Sequence, residues 1–362
     1  MSSAVSAILL TLPWRGSIMI RVARVKLQAL ICSRLACGKQ NTRAKLIEIV
    51  EADGLDTPYG QVSDSGGKQM PVGGKAVVSH YLKEVGVPQR AVGVFDSGVG
   101  GLTVLKAIRQ HLPEEDLIYL GDTARVPYGT KSPETVLRYA MQAAEFLCAH
   151  QVKMVVVACN TASSVALQIL AHHFNVPVLG VIVPGAQEAV RISRSGRIGV
   201  IGTEGTINSG AYQHEISTLC DGVEVFSAVC PLFVPLAEEG WAGHEIAVIA
   251  AREYLKPLLD NHIDTLVLGC THYPLLKNTL RQVLPEEVKM VDSATQTALT
   301  VQHLLRQNST LSTRSRNGNC RFYVTDVPTR FIRVGSAFLG ENLEQVERIT
   351  LPGMDHDSRR FV

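Results

Sequence analysis

Met-Val-Val-Val-Ala-Cys-Asn-Thr (154–161) and Thr-Leu-Val-Leu-Gly-Cys-Thr-His (265–272) share one grammar: a strand-forming apolar run, a small residue, a cysteine, then a polar pair. Such a run is too short for a helix and lacks polar alternation, so it reads as a strand buried on both faces, as in a parallel sheet. Residues of helical composition follow at 162–174 and 274–283, which puts each cysteine at a strand-to-helix turn. Upstream, Ala-Val-Gly-Val-Phe-Asp-Ser-Gly (91–98) echoes Arg-Ile-Gly-Val-Ile-Gly-Thr-Glu (197–204). Asp96 lies 63 residues before Cys159, and Gly202 lies 68 before Cys270. Two echoes in the same order predict a duplicated unit.

Further apolar runs at 117–120, 178–183, 223–227 and 289–291 alternate with helical stretches. Gly, Asp, Asn, Ser and Thr gather at the ends of the runs, where an open parallel sheet forms its ligand crevice. The predicted fold is therefore α/β: two similar parallel-sheet domains related by pseudo-symmetry, with the active site in the crevice between them. Residues 91–183 with 293–350 form the expected first domain and 184–292 the second. Residues 351–362 read as a tail, and 1–90 as an N-terminal extension, disordered or dispensable.

Composition narrows the function classes. The first 90 residues carry 12 Lys and Arg against 6 Asp and Glu, while the rest carries 23 against 27. A mildly acidic body behind a basic extension does not suit a nucleic-acid binder. Residues 1–47 hold eight basic residues and no acid, imitating a targeting segment. Met70 is a candidate later start, and 62–74 has linker composition. No apolar run approaches the ~18 residues of a membrane helix. The eight cysteines lack the spacing of a zinc knuckle or a disulfide scaffold, which fits free thiols in a reducing cytoplasm.

A thiol at a helix N-terminus meets unpaired N–H groups and roughly half a positive charge, and both favour thiolate. Cys159 and Cys270 are thus expected to have lowered pKa values and to act as acid and base; the bland alternative is a pair of small buried hydrophobes. Two thiols facing one crevice suit the inversion of a stereocentre, in which a proton leaves one face and another arrives on the opposite face. Asp96-Ser97-Gly98-Val99-Gly100-Gly101 lacks the third glycine of a dinucleotide fingerprint, because Thr103 stands there. A carboxylate is the better candidate for its anion, with a plain tight turn as the alternative. The loop Asp122 to Gly129 offers the Tyr128 hydroxyl and the Gly129 N–H. By composition alone that loop is a structural turn, and Glu238 and Glu239 are solvated helix residues.

Taken together, Val-Phe-Asp-Ser-Gly-Val-Gly-Gly-Leu (94–102), Pro-Tyr-Gly (127–129), Ala-Cys-Asn-Thr-Ala (158–162) and Leu-Gly-Cys-Thr-His-Tyr-Pro-Leu-Leu (268–276) resemble the glutamate racemase family over about 91–349. The resemblance implies interconversion of L- and D-glutamate without pyridoxal phosphate or metal, in the cytoplasm, for peptidoglycan synthesis. It makes Cys159 and Cys270 the catalytic pair, with Asp96, His272 and Glu238 assisting. It assigns substrate contacts to Asp96, Ser97, Tyr128, Gly129, Asn160, Thr161, Thr271 and His272. The implied partner is the small molecule alone, with no nucleic acid or membrane and with a homodimer as the candidate assembly. Aspartate racemase is the near alternative, and a non-catalytic protein binding an acidic ligand the distant one.

Overall fold

The computed structural model describes residues 87–354. The expectations for 1–86, Met70 and the 62–74 linker among them, and for 355–362 lie outside the described residues.

The echoed segments form equivalent strands. In the first lobe, β1 (Val92–Asp96) is central, flanked by β2 (Leu117–Gly121) and β3 (Met154–Val157). In the second, β5 (Arg197–Gly202) is central, flanked by β6 (Glu224–Val229) and β7 (Thr265–Gly269). The first sheet has the order β10-β9-β2-β1-β3-β4 and the second β6-β5-β7-β8, every pair parallel. Here β4 is Val178–Gly180, β8 is Lys289–Asp292, β9 is Cys320–Val324 and β10 is Val346–Arg348. Strand order reverses between β1 and β3 in one sheet and between β5 and β7 in the other. Those are the two switch points, and Asp96 and Cys159 end at the first while Gly202 and Cys270 end at the second.

Helices cover the sheets. In the first lobe these are α1 (Leu102–His111), α2 (Pro133–Ala149) and α3 (Asn160–His173), followed by α4 (Ile182–Ile192). In the second they are α5 (Glu204–Asn208), α6 (Ala211–Leu219), α7 (Phe233–Glu238), α8 (Glu245–Asp260) and α9 (Lys277–Val283). From β8 the chain runs into α10 (Ser293–Gln307), which packs on both α1 and α4. It then returns through β9, α11 (Pro328–Leu339) and β10 to complete the first sheet. Strands β1, β2, β3, β5 and β7 are buried at almost every position, as their uninterrupted apolar sequence requires.

Three boundaries differ from the sequence reading. The run 178–183 is strand only to Gly180, and Ile182 opens α4, whose first turn accepts Pro184 because the N–H it lacks would be unpaired there. The body begins before Ala91: the buried Lys153 ammonium pairs with Glu115 and donates to the carbonyls of Pro88 and Thr310, each at 2.8 Å. It also runs past 350, since Leu351 is fully buried and Gln142 donates to the Pro352 carbonyl at 2.7 Å. Among the described residues no helix is long and apolar enough to cross a membrane.

Candidate active site

At the first switch point β1 delivers a fully buried Asp96. Its Oδ2 accepts from the Gly98 N–H at 2.9 Å, and the turn is held from below by the Tyr119 hydroxyl on the Gly98 carbonyl at 2.8 Å. Burial pushes the Asp96 carboxyl above the usual range. The charge of His272, the Gly98 and Gly101 N–H groups and Thr271 offset part of that shift. Cys159 is the N-cap of α3, and its Sγ accepts from the Ala162 N–H at 3.5 Å, with the Ser97 hydroxyl as a second partner.

The expected lowering of this thiol's pKa does not occur. Burial, and after it the charge of Asp96, drive the Cys159 thiol up to about 12, outweighing the helix N-terminus and Ser97. The partial charge of a helix end is worth ~0.3–1 kcal/mol, whereas desolvation of a fully buried ion moves a pKa by several units. Asn160 and Thr161 follow on α3. Asn160 Oδ1 accepts from the Tyr212 hydroxyl at 2.8 Å, while its buried amide nitrogen has no partner. Thr161 Oγ1 lies 2.9 Å from Thr203 Oγ1 and 3.2 Å from Thr206 Oγ1.

The second switch point is built differently. No α-helix starts at Cys270; a short 3-10 turn, Tyr273–Leu276, intervenes before α9. Pro274 and the packing of buried Tyr273 and Leu276 take the place of the helical turn expected from 274 onward. The partner of Cys270 is instead His272, whose Nδ1 lies 3.8 Å from Sγ. The other ring nitrogen, Nε2, is 3.0 Å from Glu238 Oε1, and the ring stands edge-on to Phe338 at 5.4 Å. Burial alone would lower the His272 pKa, but Cys270 and Glu238 outweigh it and hold it at about 10. Of the two adjacent glutamates, Glu238 faces the site and Glu239 is exposed.

The lobes touch through these same residues. Thr271 Oγ1 donates to Asp96 Oδ1 at 3.4 Å, and Thr103 Oγ1 donates to the Thr271 carbonyl at 3.0 Å. At Gly100 a Cβ would collide with the Thr271 hydroxyl and the His272 ring, so only glycine permits this approach. Gly129 does the same opposite Thr203, where an added Cβ would come within 2.7 Å. Tyr128 is buried beside it, but its hydroxyl is committed to Asp122, which also accepts from Arg125 at 2.6 Å and Thr325 at 2.8 Å. That hydroxyl therefore braces the loop.

Of the sequence-derived set, Asp96, Ser97, Cys159, Thr271, Cys270, His272 and Glu238 join one polar network. Asn160 and Thr161 are tied to the second lobe, and Tyr128 stands apart. Sequence reasoning missed Tyr212, Thr203, Thr206 and Arg330. Thr203 was legible as the echo of Ser97; the others sit on helices with no motif around them.

Two like lobes each bring one thiol to a switch point and are joined there by shared polar contacts, and the known proteins this chain matches are isomerases. Residues 101–301 match the Asp/Glu/hydantoin racemase family. The glutamate racemase of Geobacter metallireducens is 56% identical over 265 residues, covering 73% of this chain and 98% of the relative. That of Syntrophus aciditrophicus is 50% identical over 260 residues, covering 72% and 96%. Among solved structures, the Francisella tularensis glutamate racemase in complex with D-glutamate superposes with a TM-score of 0.69 at 41% identity, covering 73% of this chain and 98% of that one. A Bacillus anthracis glutamate racemase isoform gives a TM-score of 0.71 at 38% identity, covering 73% and 99%. The chain belongs to the Asp/Glu/hydantoin racemase family.

Proposed function

We propose that this protein interconverts L- and D-glutamate by two-base proton transfer between Cys159 and Cys270. One thiolate takes the α-proton, forming an S–H bond while the C–H electron pair stays on carbon and spreads into the α-carboxylate. The opposite thiol gives its proton to the other face. Each turnover begins and ends with one thiol and one thiolate, exchanged between the two cysteines. The reverse reaction uses them in swapped roles.

The observation that carries this reading is the Thr271–Asp96 hydrogen bond: the residue after one cysteine touches the carboxylate beside the other. Asp96, next to the Cys159 thiol, can meet the substrate ammonium. That cation offsets the charge that disfavours thiolate, so substrate itself lowers the barrier to ionising Cys159. The unpartnered Asn160 amide, with Ser97, Thr161, Thr271 and the Gly129 N–H, suits the two carboxylates and the charge that develops on one of them. His272, backed by Glu238, serves the Cys270 side. Tyr128, held by its bond to Asp122, is read with Gly129 as a substrate contact.

The lobes are read as 91–183 with 293–350 and 184–292, the first extended at its two ends by the contacts of Pro88, Leu351 and Pro352. The enzyme works in the cytoplasm without cofactor and supplies D-glutamate to peptidoglycan, with homodimerisation to be checked by light scattering. The test is polarimetry: the optical rotation of L-glutamate should decay to zero with the protein alone. Decay with L-aspartate but not with L-glutamate would overturn the substrate assignment.

A further inference from the structure

We propose that Arg330 is a positioning residue for the Cys270 half of the reaction, acting across the crevice through Glu238. Arg330 lies on α11, in the six-stranded lobe, whereas Glu238 ends α7 in the other lobe. Arg330 Nη2 reaches Glu238 Oε2 at 3.0 Å and Glu239 Oε1 at 3.2 Å. The remaining oxygen of Glu238 faces His272 Nε2, whose other nitrogen faces the Cys270 thiol. The carboxylate is thus held at both oxygens, one by each lobe. With Oε2 on the guanidinium, Oε1 is fixed as acceptor for Nε2–H, and the ring is turned so that Nδ1, also protonated in the charged imidazole, faces the sulfur.

The Arg330 side chain is 62% exposed. As a contribution to folding such a pair counts for little, because water screens it and two side chains must be ordered. Its consequence is local: it fixes the charge and direction of a carboxylate that is four-fifths buried. Burial on its own would raise the Glu238 pKa. His272, and after it Arg330, outweigh burial and hold it below the usual range. The charged groups facing Glu238 are His272 on the loop after β7 and Arg330 on α11, with Glu239 beside it on its own element. Behind His272 stand Cys270 and Asp96.

Removing the guanidinium therefore raises the Glu238 pKa. The carboxylate gains a proton at higher pH, releases its hold on Nε2, and the acidic limb of activity moves upward. The inference rests on the racemase reading above, and the test separates the two. Arg330→Met, Arg330→Lys and Glu239→Gln are compared with the unaltered enzyme by kcat/KM against pH and by thermal melting. Ionisation of free substrate gives the same limb in every variant, so only displacements between variants count.

The Met variant should lose roughly threefold to tenfold in kcat/KM at neutral pH, with its acidic limb displaced to higher pH and its melting temperature unchanged. Lys should restore most of both, and Glu239→Gln should stay within about twofold of the unaltered enzyme. A Met profile that overlays the unaltered one would overturn the inference. So would a fall in activity accompanied by a lower melting temperature and an undisplaced limb. Failure of the unaltered protein to racemise glutamate would instead overturn the reading of the preceding section.

Discussion

Cys159 and Cys270 occupy equivalent positions in two copies of one folding unit, yet their surroundings share almost nothing. Cys159 caps a 14-residue helix and is held by the Ala162 N–H, the Ser97 hydroxyl and the nearby Asp96 carboxylate. Cys270 has no helix behind it and depends on an imidazole whose far side is anchored to Glu238. Where the first copy has Asp96, the second has Gly202; where the second has His272, the first has Thr161. The two lobes share the strand ends that carry the thiols and differ in the groups around each. In the proposed mechanism, a reaction that is symmetric overall is served by two unlike half-sites.

The sharpest way to break this comparison is to remove one thiol at a time. Cys159→Ser and Cys270→Ser should each lower kcat/KM by roughly a hundredfold to ten-thousandfold, since an alcohol is a poor acid or base at neutral pH. Because the enantiomers have equal free energies, each variant must lose equally in kcat/KM for L- and D-glutamate, and the unlike half-sites can show only in kcat and KM changing together. Measuring both directions checks this. Near-normal rates in either variant would return that cysteine to the role of a buried hydrophobe.

A smaller effect sharpens the difference between the half-sites. Glu238→Gln keeps the shape but removes the charge of the second of the two groups, after Cys270, that hold His272 up at about 10. The charged, paired imidazole favours the folded lobe fully below its usual pKa of 6.5, and that benefit fades as pH rises through about 10. The Gln variant should therefore lose stability relative to the parent at pH 6 and less at pH 10, and lose roughly tenfold in kcat/KM at neutral pH. Denaturant melts at the two pH values test it; a loss that grows with pH would contradict the assignment.

The Cys159 side carries its own pH signature. A thiol pushed up to about 12 is protonated at pH 8, so Cys159 in the free protein should react with iodoacetamide far more slowly than an exposed thiol. Peptide mapping by mass spectrometry reads this directly, and rapid alkylation at pH 8 without substrate would contradict it.

Much of the architecture was legible because buried parallel strands write themselves as short apolar runs, and because the 91–98 and 197–204 echoes marked β1 and β5. The cysteine positions followed from the same runs. The thiol's ionisation did not, because a helix N-terminus can be read from sequence while the depth at which Cys159 is buried cannot. The bond from the Tyr128 hydroxyl to Asp122 was illegible for a related reason: it forms only when the loop folds the two residues together. Tyr212 and Arg330 reach the site from the opposite lobe, and no local pattern encodes a contact across 52 or 92 residues. The extension boundary also slipped, because a carbonyl such as that of Pro88 carries no side-chain signal.

Two smaller effects follow from those misses. Tyr212→Phe removes the hydroxyl that orients Asn160, which should raise KM for glutamate roughly threefold to tenfold with little change in kcat; an unchanged KM would mean that the Asn160 amide is set by other contacts. Starting the chain at Arg90 rather than Val87 removes the Pro88 acceptor of buried Lys153 and should cost ~1–3 kcal/mol of stability while leaving kcat/KM near normal. Paired denaturant melts of the two truncations decide it, and equal midpoints would mean that water replaces the lost carbonyl.

The central claim is that two different thiols address opposite faces of one carbon. The most direct test is to incubate L-glutamate with the enzyme in deuterated water and stop the reaction within the first few per cent of conversion. Chiral separation and mass spectrometry then give the α-deuterium content of each enantiomer. The expected result is one deuterium in nearly every D-glutamate and almost none in the remaining L-glutamate, because Cys270 and Cys159 exchange with solvent independently. Equal deuterium in both enantiomers from the earliest times would mean that a single group removes and returns the proton, and would contradict the account.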